Sequence, residues 1–312
     1  MVYLKSFFAE LARILMTLRS PMISANNAYK GIYHKDINWN NPQNLIEKIY
    51  WLELFSDTTL WTMCADKFRI REFIHNKGLD HVLPKLYGHW YNSKEIDYNM
   101  LPNSFVLKTT NGCGQVLIVK DKTKLDIQQT TTLLNKWMKL KYGYIDGQIH
   151  YSRIKPSIIA EEFLHDNSDL NNDTALIDYK LWCINGEPIF FLIITDRVIL
   201  GPNRGYSLCA YDLQWNNITT KILNEKKCHL SKRHIDKPQC LEEMIEIAKV
   251  VSSNFQEVRV DFYQVNGKVY LGEMTFTTAY GYFTDDLYRY LGSKIDLNKV
   301  KRIKGINRPP LF

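Results

Sequence analysis

Glu257–Thr275 reads EVRVDFYQVNGKVYLGEMT, two β-rich runs on either side of Asn266-Gly267. Side chains alternate along a strand, so Val258, Val260 and Phe262 take one face while Arg259 and Asp261 share the other. Burying a cation and a carboxylate two residues apart in an otherwise apolar strand is unfavourable unless both are paired or used. The return run Val-Tyr-Leu-Gly-Glu brings Glu273 toward them. A strict two-residue turn would set Val260 opposite Glu273 and divide the carboxylates between two faces. A three-residue loop Val265-Asn266-Gly267, with Gly267 left-handed, would set Arg259 opposite Glu273 and align all three groups. We expect the three-residue loop. Two carboxylates facing one cleft suit Mg²⁺, which takes oxygen ligands and shares substrate phosphates. A structural salt bridge explains the trio equally well.

Working outward, Phe105–Gln115 reads FVLKTTNGCGQ, a strand carrying Lys108 and then a loop that leads into a second strand. Asn111, Gly112, Cys113, Gly114 and Gln115 form a candidate phosphate cover. Glycines let backbone N–H groups approach phosphate oxygens, and Lys108 adds charge. No GKS/T follows and no helix opens, so this is not a Walker loop, and an ordinary β-turn is the competing reading. Ile158–Leu164 runs apolar residues into Glu161, Glu162, Phe163 and Leu164. This is either a solvated strand end or a hinge whose backbone reads adenine and whose carboxylate takes ribose hydroxyls. Asp178 and Lys180 share a strand face, with Arg197 at the end of the partner strand; a buried ion pair accounts for them as readily as a site does.

Around these segments the pattern is α+β with mainly antiparallel sheet. Residues 1–59 read as a helical segment broken at Asn38–Asn44. Leu60–Lys77 reads as one helix ending at Gly78, a suitable C-cap. Strands are expected at Ser104–Lys108, Gln115–Val119 and Ser157–Phe163, and helices at Asp126–Tyr142 and Leu241–Ser252. Ala175–Ile184 and Pro188–Arg197 form a hairpin around Asn185-Gly186. Residues 293–312 read as a basic, loosely held tail.

The 312 residues carry a formal net charge of +7, which suits anionic partners such as nucleotides, nucleotide sugars and acidic glycans. No basic run with interleaved aromatics marks a nucleic-acid interface, so no nucleic-acid partner is expected. The six cysteines are scattered, without a CxxC pair. With no secretory leader in view, we expect a reduced, cytoplasmic protein. No apolar run approaches the ~20 residues needed to span a bilayer. Met1–Arg19 places Leu4, Phe7, Phe8, Leu11, Ile14, Leu15 and Leu18 at helical spacing. Its plain reading is a helix docked on the domain or a second subunit; its sharper reading is an in-plane helix making peripheral membrane contact.

The order of these parts resembles an ATP-grasp enzyme: Lys108 and the glycine loop, Glu161-Glu162, Lys180, then Arg-x-Asp and Glu-x-Thr. The closing segments are similar to the D-alanine:D-alanine ligase pattern Arg-x-Asp followed by Glu-x-Asn, except that Thr275 stands in place of the Asn. A closer resemblance is to the TupA-like ATP-grasp family, from about Leu60 to Gly292. It rests on Ala65-Asp66-Lys67 with Arg71-Glu72-Phe73, Leu83–Gly88, Ile159–Leu164, Asp178-Tyr179-Lys180, Arg259–Tyr263 and Gly272–Thr277. The glycine loop departs from the family's His-Gly-Ser-Gly form.

The resemblance implies an ATP-grasp domain over 60–292, with an N lobe of about 60–160 and a C lobe of about 161–292. Two α+β lobes would grip ATP and Mg²⁺. It implies an ADP-forming carboxylate-amine ligase, working through an acylphosphate in capsular or cell-surface polysaccharide synthesis. The expected partners are a uronic-acid carboxylate and an amine. Asp261, Glu273 and Thr275 would hold metal, while Lys108 and Lys180 would hold phosphates. Arg259, Lys180 and Arg197 would act in catalysis, and Arg71, Arg204, Tyr280 and Gly281 would contact substrate. A kinase acting on a sugar hydroxyl and a non-catalytic nucleotide-binding component of an assembly complex are the alternatives.

Overall fold

A computed structural model describes residues 2–165, 176–198, 205–278 and 280–310. Four strands form one sheet in the order β1-β4-β2-β3: β1 (Leu86–Trp90), β2 (Phe105–Thr109), β3 (Val116–Val119) and β4 (Ile158–Glu161). Five more form a second sheet in the order β7-β6-β5-β8-β9: β5 (Asp178–Ile184), β6 (Glu187–Val198), β7 (Gly205–Tyr211), β8 (Glu257–Val265) and β9 (Lys268–Thr275). Neighbouring strands run antiparallel in both. The fold is α+β, as expected, and the hairpin at Asn185-Gly186 forms with both turn residues left-handed.

Each sheet has its own core. In the first, Phe105, Leu107, Ile158 and Ala160 pack with Leu134 of α6 (Ile127–Met138). In the second, α9 (Leu241–Ser252) buries Leu241, Met244, Ile247, Ala248 and Val251, a helical stripe laid on β5, β6 and β8. The N-terminal helices α1 (Val2–Arg19), α2 (Pro21–Tyr33) and α3 (Leu45–Phe55) precede both sheets. Ala25, Tyr29 and the apolar side chains of α3 join the core of the five-stranded sheet. Arg13 on α1 pairs with Asp146 at 2.5 Å, whereas Leu11 and Leu15 stand exposed.

Two expectations are corrected. The helix expected over Leu60–Lys77 is interrupted, giving α4 (Thr59–Ala65) and α5 (Ile70–Asn76). The Asp66 carboxylate accepts from the backbone N–H groups of Phe68 (2.8 Å) and Arg69 (3.2 Å), stabilising a turn in place of helix. Gly78, left-handed at φ 70°, ends α5 as read. The C-terminal tail is not loose. Ile303 N–H donates to the Phe55 carbonyl at 2.9 Å, and Asn307 N–H to Leu54 at 2.7 Å. The Asn307 amide also donates to the Glu53 and Ser56 carbonyls at 2.7 Å, capping the end of α3.

Glu257, at the start of β8, is fully buried, and neither carboxyl oxygen has a hydrogen-bond partner among the described residues. Burial pushes its pKa well above the ordinary carboxylate range, and Arg259 offsets this only in part. The folded protein therefore holds this proton more tightly than the unfolded chain does. The stabilisation is complete below the unfolded value of about 4.3 and declines as pH rises toward the folded one. Glu257→Gln should raise Tm more at pH 8 than at pH 5. A difference between variant and parent that does not grow with pH would refute the assignment.

Candidate active site

The hairpin closes differently from the loop expected. Asn266 and Gly267 are both left-handed (φ 51° and 72°) and make a two-residue turn, with Val265 opposite Lys268. That register alone would turn Glu273 away from Asp261. An irregularity between Asp261 and Phe262 corrects it: Phe262 pairs with Leu271, but Asp261 pairs with Glu273, leaving Gly272 as the extra residue of a β-bulge. Arg259 then faces Thr275. The carboxylates do share a face, because of the bulge and not the turn. A Cβ on Gly272 would lie 2.8 Å from Tyr263 Cε2 and 3.3 Å from the Asp261 carbonyl oxygen, so a side chain there would have to displace the Tyr263 ring or the bulge itself.

On that face Arg259 Nε donates to Asp261 Oδ1 at 2.6 Å and Nη2 to Asp261 Oδ2 at 2.7 Å. Nη2 also reaches Glu273 Oε1 at 3.2 Å and Thr275 Oγ1 at 3.0 Å. Thr275 in turn donates to Glu273 Oε1 at 3.2 Å. Lys180, opposite Asp261 on β5, donates to Asp261 Oδ2. The Arg259 guanidinium lies 5.5 Å from the centre of the Trp182 ring, which walls its inner side. Asp261 is buried, and burial raises its pKa against the pull of Arg259 and Lys180. Glu273 retains 36 % side-chain exposure. Burial alone would raise its pKa too, but Lys180, Arg259 and Lys67 more than offset this and hold it at about 2.

The four-stranded sheet faces this cluster across a cleft lined by Lys67, Arg71, Lys108, Glu161 and Glu273 with Ile70, Leu83 and Leu271. Lys108 pairs with Glu161 Oε2 at 2.6 Å, and Arg71 pairs with Glu161 Oε1 at 3.2 Å and with the Pro84 carbonyl. Glu162 exchanges bonds with Lys85, its N–H donating to the carbonyl at 2.9 Å and its Oε2 accepting at 3.2 Å. Phe163 and Leu164 follow β4, half-buried.

In the glycine loop the Asn111 amide donates to the carbonyls of Trp137 (3.2 Å) and Leu140 (3.1 Å), so it caps α6. Gly112 sits where a Cβ would meet Tyr142 at 3.1 Å. Cys113 Sγ lies 4.0 Å from the Tyr151 hydroxyl. Gly114 is exposed and left-handed, and the Gln115 carbonyl accepts from Thr109 N–H at 3.3 Å.

Tyr280 shares a hydrogen bond of 2.8 Å with Tyr50 on α3, and Gly281 N–H donates to the Tyr288 hydroxyl of the helix Asp285–Ser293 at 2.8 Å. Arg197 falls near the end of β6, its side chain outside what is described, and Arg204 lies outside the described residues. Lys67, which no sequence argument assigned a role, projects into the cleft and donates to the Gly112 carbonyl. Its only signal was a position inside Ala65-Asp66-Lys67; the helix expected there hid the break that presents it.

Among the described residues no group of three or more His, Cys, Asp or Glu side chains forms a closed metal cage. Mg²⁺ needs none, since one or two carboxylates, phosphate oxygens and water complete its shell. Asp261 and Glu273, hard donors from neighbouring strands with Glu273 open to the cleft, fit such an ion. The Thr275 hydroxyl is occupied on both sides, donating to Glu273 and accepting from Arg259.

Two antiparallel sheets closing on a cleft with cations on one wall and paired carboxylates on the other define an ATP-grasp protein. The chain belongs to the TupA-like ATP-grasp family, whose model matches residues 47–296. Among solved structures, it is similar to D-alanine–D-alanine ligase from Bacillus anthracis, at 14% identity over 81% of this chain and 74% of that one, with a TM-score of 0.48. It is also similar to L-amino acid ligase from Bacillus licheniformis, at 15% identity over 70% and 43% of the two chains, TM-score 0.41. Phosphoribosylamine–glycine ligase from Thermotoga maritima matches at 12% identity over 77% and 51%, TM-score 0.43. No curated protein matches the chain in sequence.

Proposed function

We propose that the protein is an ATP-dependent, ADP-forming carboxylate-amine ligase. The observation that carries this reading is the convergence of Arg259, Asp261, Glu273 and Lys180 on one sheet face, opposite Lys108 and Lys67 across the cleft. The γ-phosphoryl of ATP passes to a substrate carboxylate, giving ADP and an acylphosphate; an amine attacks the acyl carbon, and phosphate leaves as the amide forms. Asp261 and Glu273 would hold Mg²⁺, which neutralises charge on the β- and γ-phosphates.

The residues of the chain divide the remaining work. Lys108 and Lys180 bind phosphate oxygens. Arg259 orients the two carboxylates and places positive charge beside the transferring phosphoryl and the tetrahedral adduct. Ile70, Leu83 and Leu271 supply apolar walls suited to a purine. The narrow cleft limits water, which would otherwise hydrolyse the acylphosphate. We assign the carboxylate to a uronic acid and the amine to an amino acid or similar donor, after the surface-polysaccharide setting of TupA-like proteins; the net charge of +7 suits such an anion. Among the described residues no helix is long and apolar enough to cross a membrane. Peripheral contact through α1 remains part of the proposal, because Leu11 and Leu15 project outward.

Hydroxylamine trapping tests the reaction type. With ATP, Mg²⁺ and a uronate, an acylphosphate yields a hydroxamate and ADP. Formation of a stable phosphate ester instead would make the protein a kinase, and release of AMP would exclude this chemistry.

A further inference from the structure

The sheet face that carries Lys108 and Glu161 continues outward to the edge strand β1. Lys108 on β2 lies opposite Ile159 on β4, and Ile159 opposite His89 on β1, so the three share that face. Trp90 packs against the core on the other face, and Tyr91 returns to the His89 side, the two rings 4.9 Å apart. Both β1 and β2 run antiparallel to β4, which sets Tyr91 level with Thr110, where the glycine loop begins. Two strand spacings separate them, about 10 Å.

Tyr91 and its neighbours form an aromatic ledge beside a cation. Phe68, on the turn between α4 and α5, braces His89 by stacking, ring centres 3.6 Å apart and planes within 6°. Lys155 Nζ lies 4.0 Å over the Tyr91 ring, and among the described residues no carboxylate pairs with it. Ser157, two residues on, accepts from Thr110 N–H at 3.0 Å, which ties the ledge to the glycine loop. Tyr91 is 52 % exposed, so its ring is open to a ligand. An exposed aromatic ring beside an ammonium fits a sugar ring that bears a carboxylate. The C–H face of the sugar is apolar and weakly positive, matching the ring face, while the ammonium pairs the carboxylate. A purely apolar ligand would leave the cation unmatched, and a small anion would leave the ring unused.

Resting on the ligase reading above, we propose that Tyr91 and Lys155 form a second saccharide subsite, which holds an acidic sugar further along the chain from the one whose carboxylate reacts. Calorimetric titration of the full chain in the presence of Mg·ADP tests this, with trigalacturonate, galacturonate and the neutral maltotriose as probes. The unaltered protein should bind trigalacturonate more tightly than either of the others. Tyr91→Ala and Lys155→Ala should each weaken trigalacturonate about 3- to 10-fold and leave galacturonate and Mg·ADP within about twofold, the range for one exposed aromatic or cationic contact. Tyr91→Phe keeps the ring and should bind as the unaltered protein does. The proposal is overturned if the trimer binds no better than the monomer, if maltotriose binds equally well, or if both alanine variants bind the trimer normally. Should the unaltered protein bind the trimer and not Mg·ADP, the ATP-grasp site assignment fails while the subsite stands.

Discussion

Glu273→Gln is expected to remove ADP formation, by a factor of about 10² to 10³, while leaving the protein folded. The carboxylate is open to the cleft, and its partners Arg259 and Thr275 have other company: Arg259 keeps both bonds to Asp261, and an amide oxygen can still accept from Thr275. Asp261→Asn should behave differently. Asp261 is buried and joins Arg259 to Lys180, so neutralising it leaves two cations without their shared counter-charge. Breaking such a buried pair costs about 3–5 kcal/mol, so this variant should lose stability together with turnover. Thermal unfolding measured beside coupled ADP release separates the two. Full activity in Glu273→Gln would remove the metal assignment.

Gly272→Val is the second large effect. A Cβ there meets the Tyr263 ring at 2.8 Å and the Asp261 carbonyl oxygen at 3.3 Å, and valine branches at that atom. The Tyr263 ring is half-buried and its hydroxyl bonds Asp178, which resists its displacement. Relief must come from the bulge, and β9 must move against β8 where Glu273 stands opposite Asp261. Overpacking of this kind costs about 1–3 kcal/mol. Activity should fall by more than the loss of folded protein explains, because a displacement of about 1 Å at a reacting centre can cost about 10²-fold. Unchanged Tm together with unchanged ADP release would show that the hairpin reaches this register without the gap.

Much of the architecture was legible because it follows local rules. Asn185-Gly186 and Asn266-Gly267 announce tight turns through their tolerance of left-handed backbone, and both are left-handed here. The stripe of Leu241, Met244, Ile247, Ala248 and Val251 repeats at helical spacing, and the helix spans the residues read for it. Lys108, Glu161, Lys180, Arg259, Asp261 and Glu273 were each singled out, since charged groups embedded in apolar strands need a reason to be there. The register of the β8–β9 hairpin differs in its cause from the expectation: a short turn and a bulge do the work of a longer loop. The helical reading of Leu60–Lys77 failed because Asp66 can cap a turn as readily as it can sit in a helix, and nothing local decides between these.

By itself the sequence determined seven of the nine described strands, missing β1 and β7, together with the two Asn-Gly turns and the strand faces that carry charge. Those properties depend on neighbours a few residues away. Tertiary structure alone decided that Gly272 would be the unpaired residue of β9, that Lys67 would meet the glycine loop, and that the tail would cap α3. Each of these depends on contacts between segments distant in the chain, where close approach of side chain to backbone selects one register or one break among several with equal local preference.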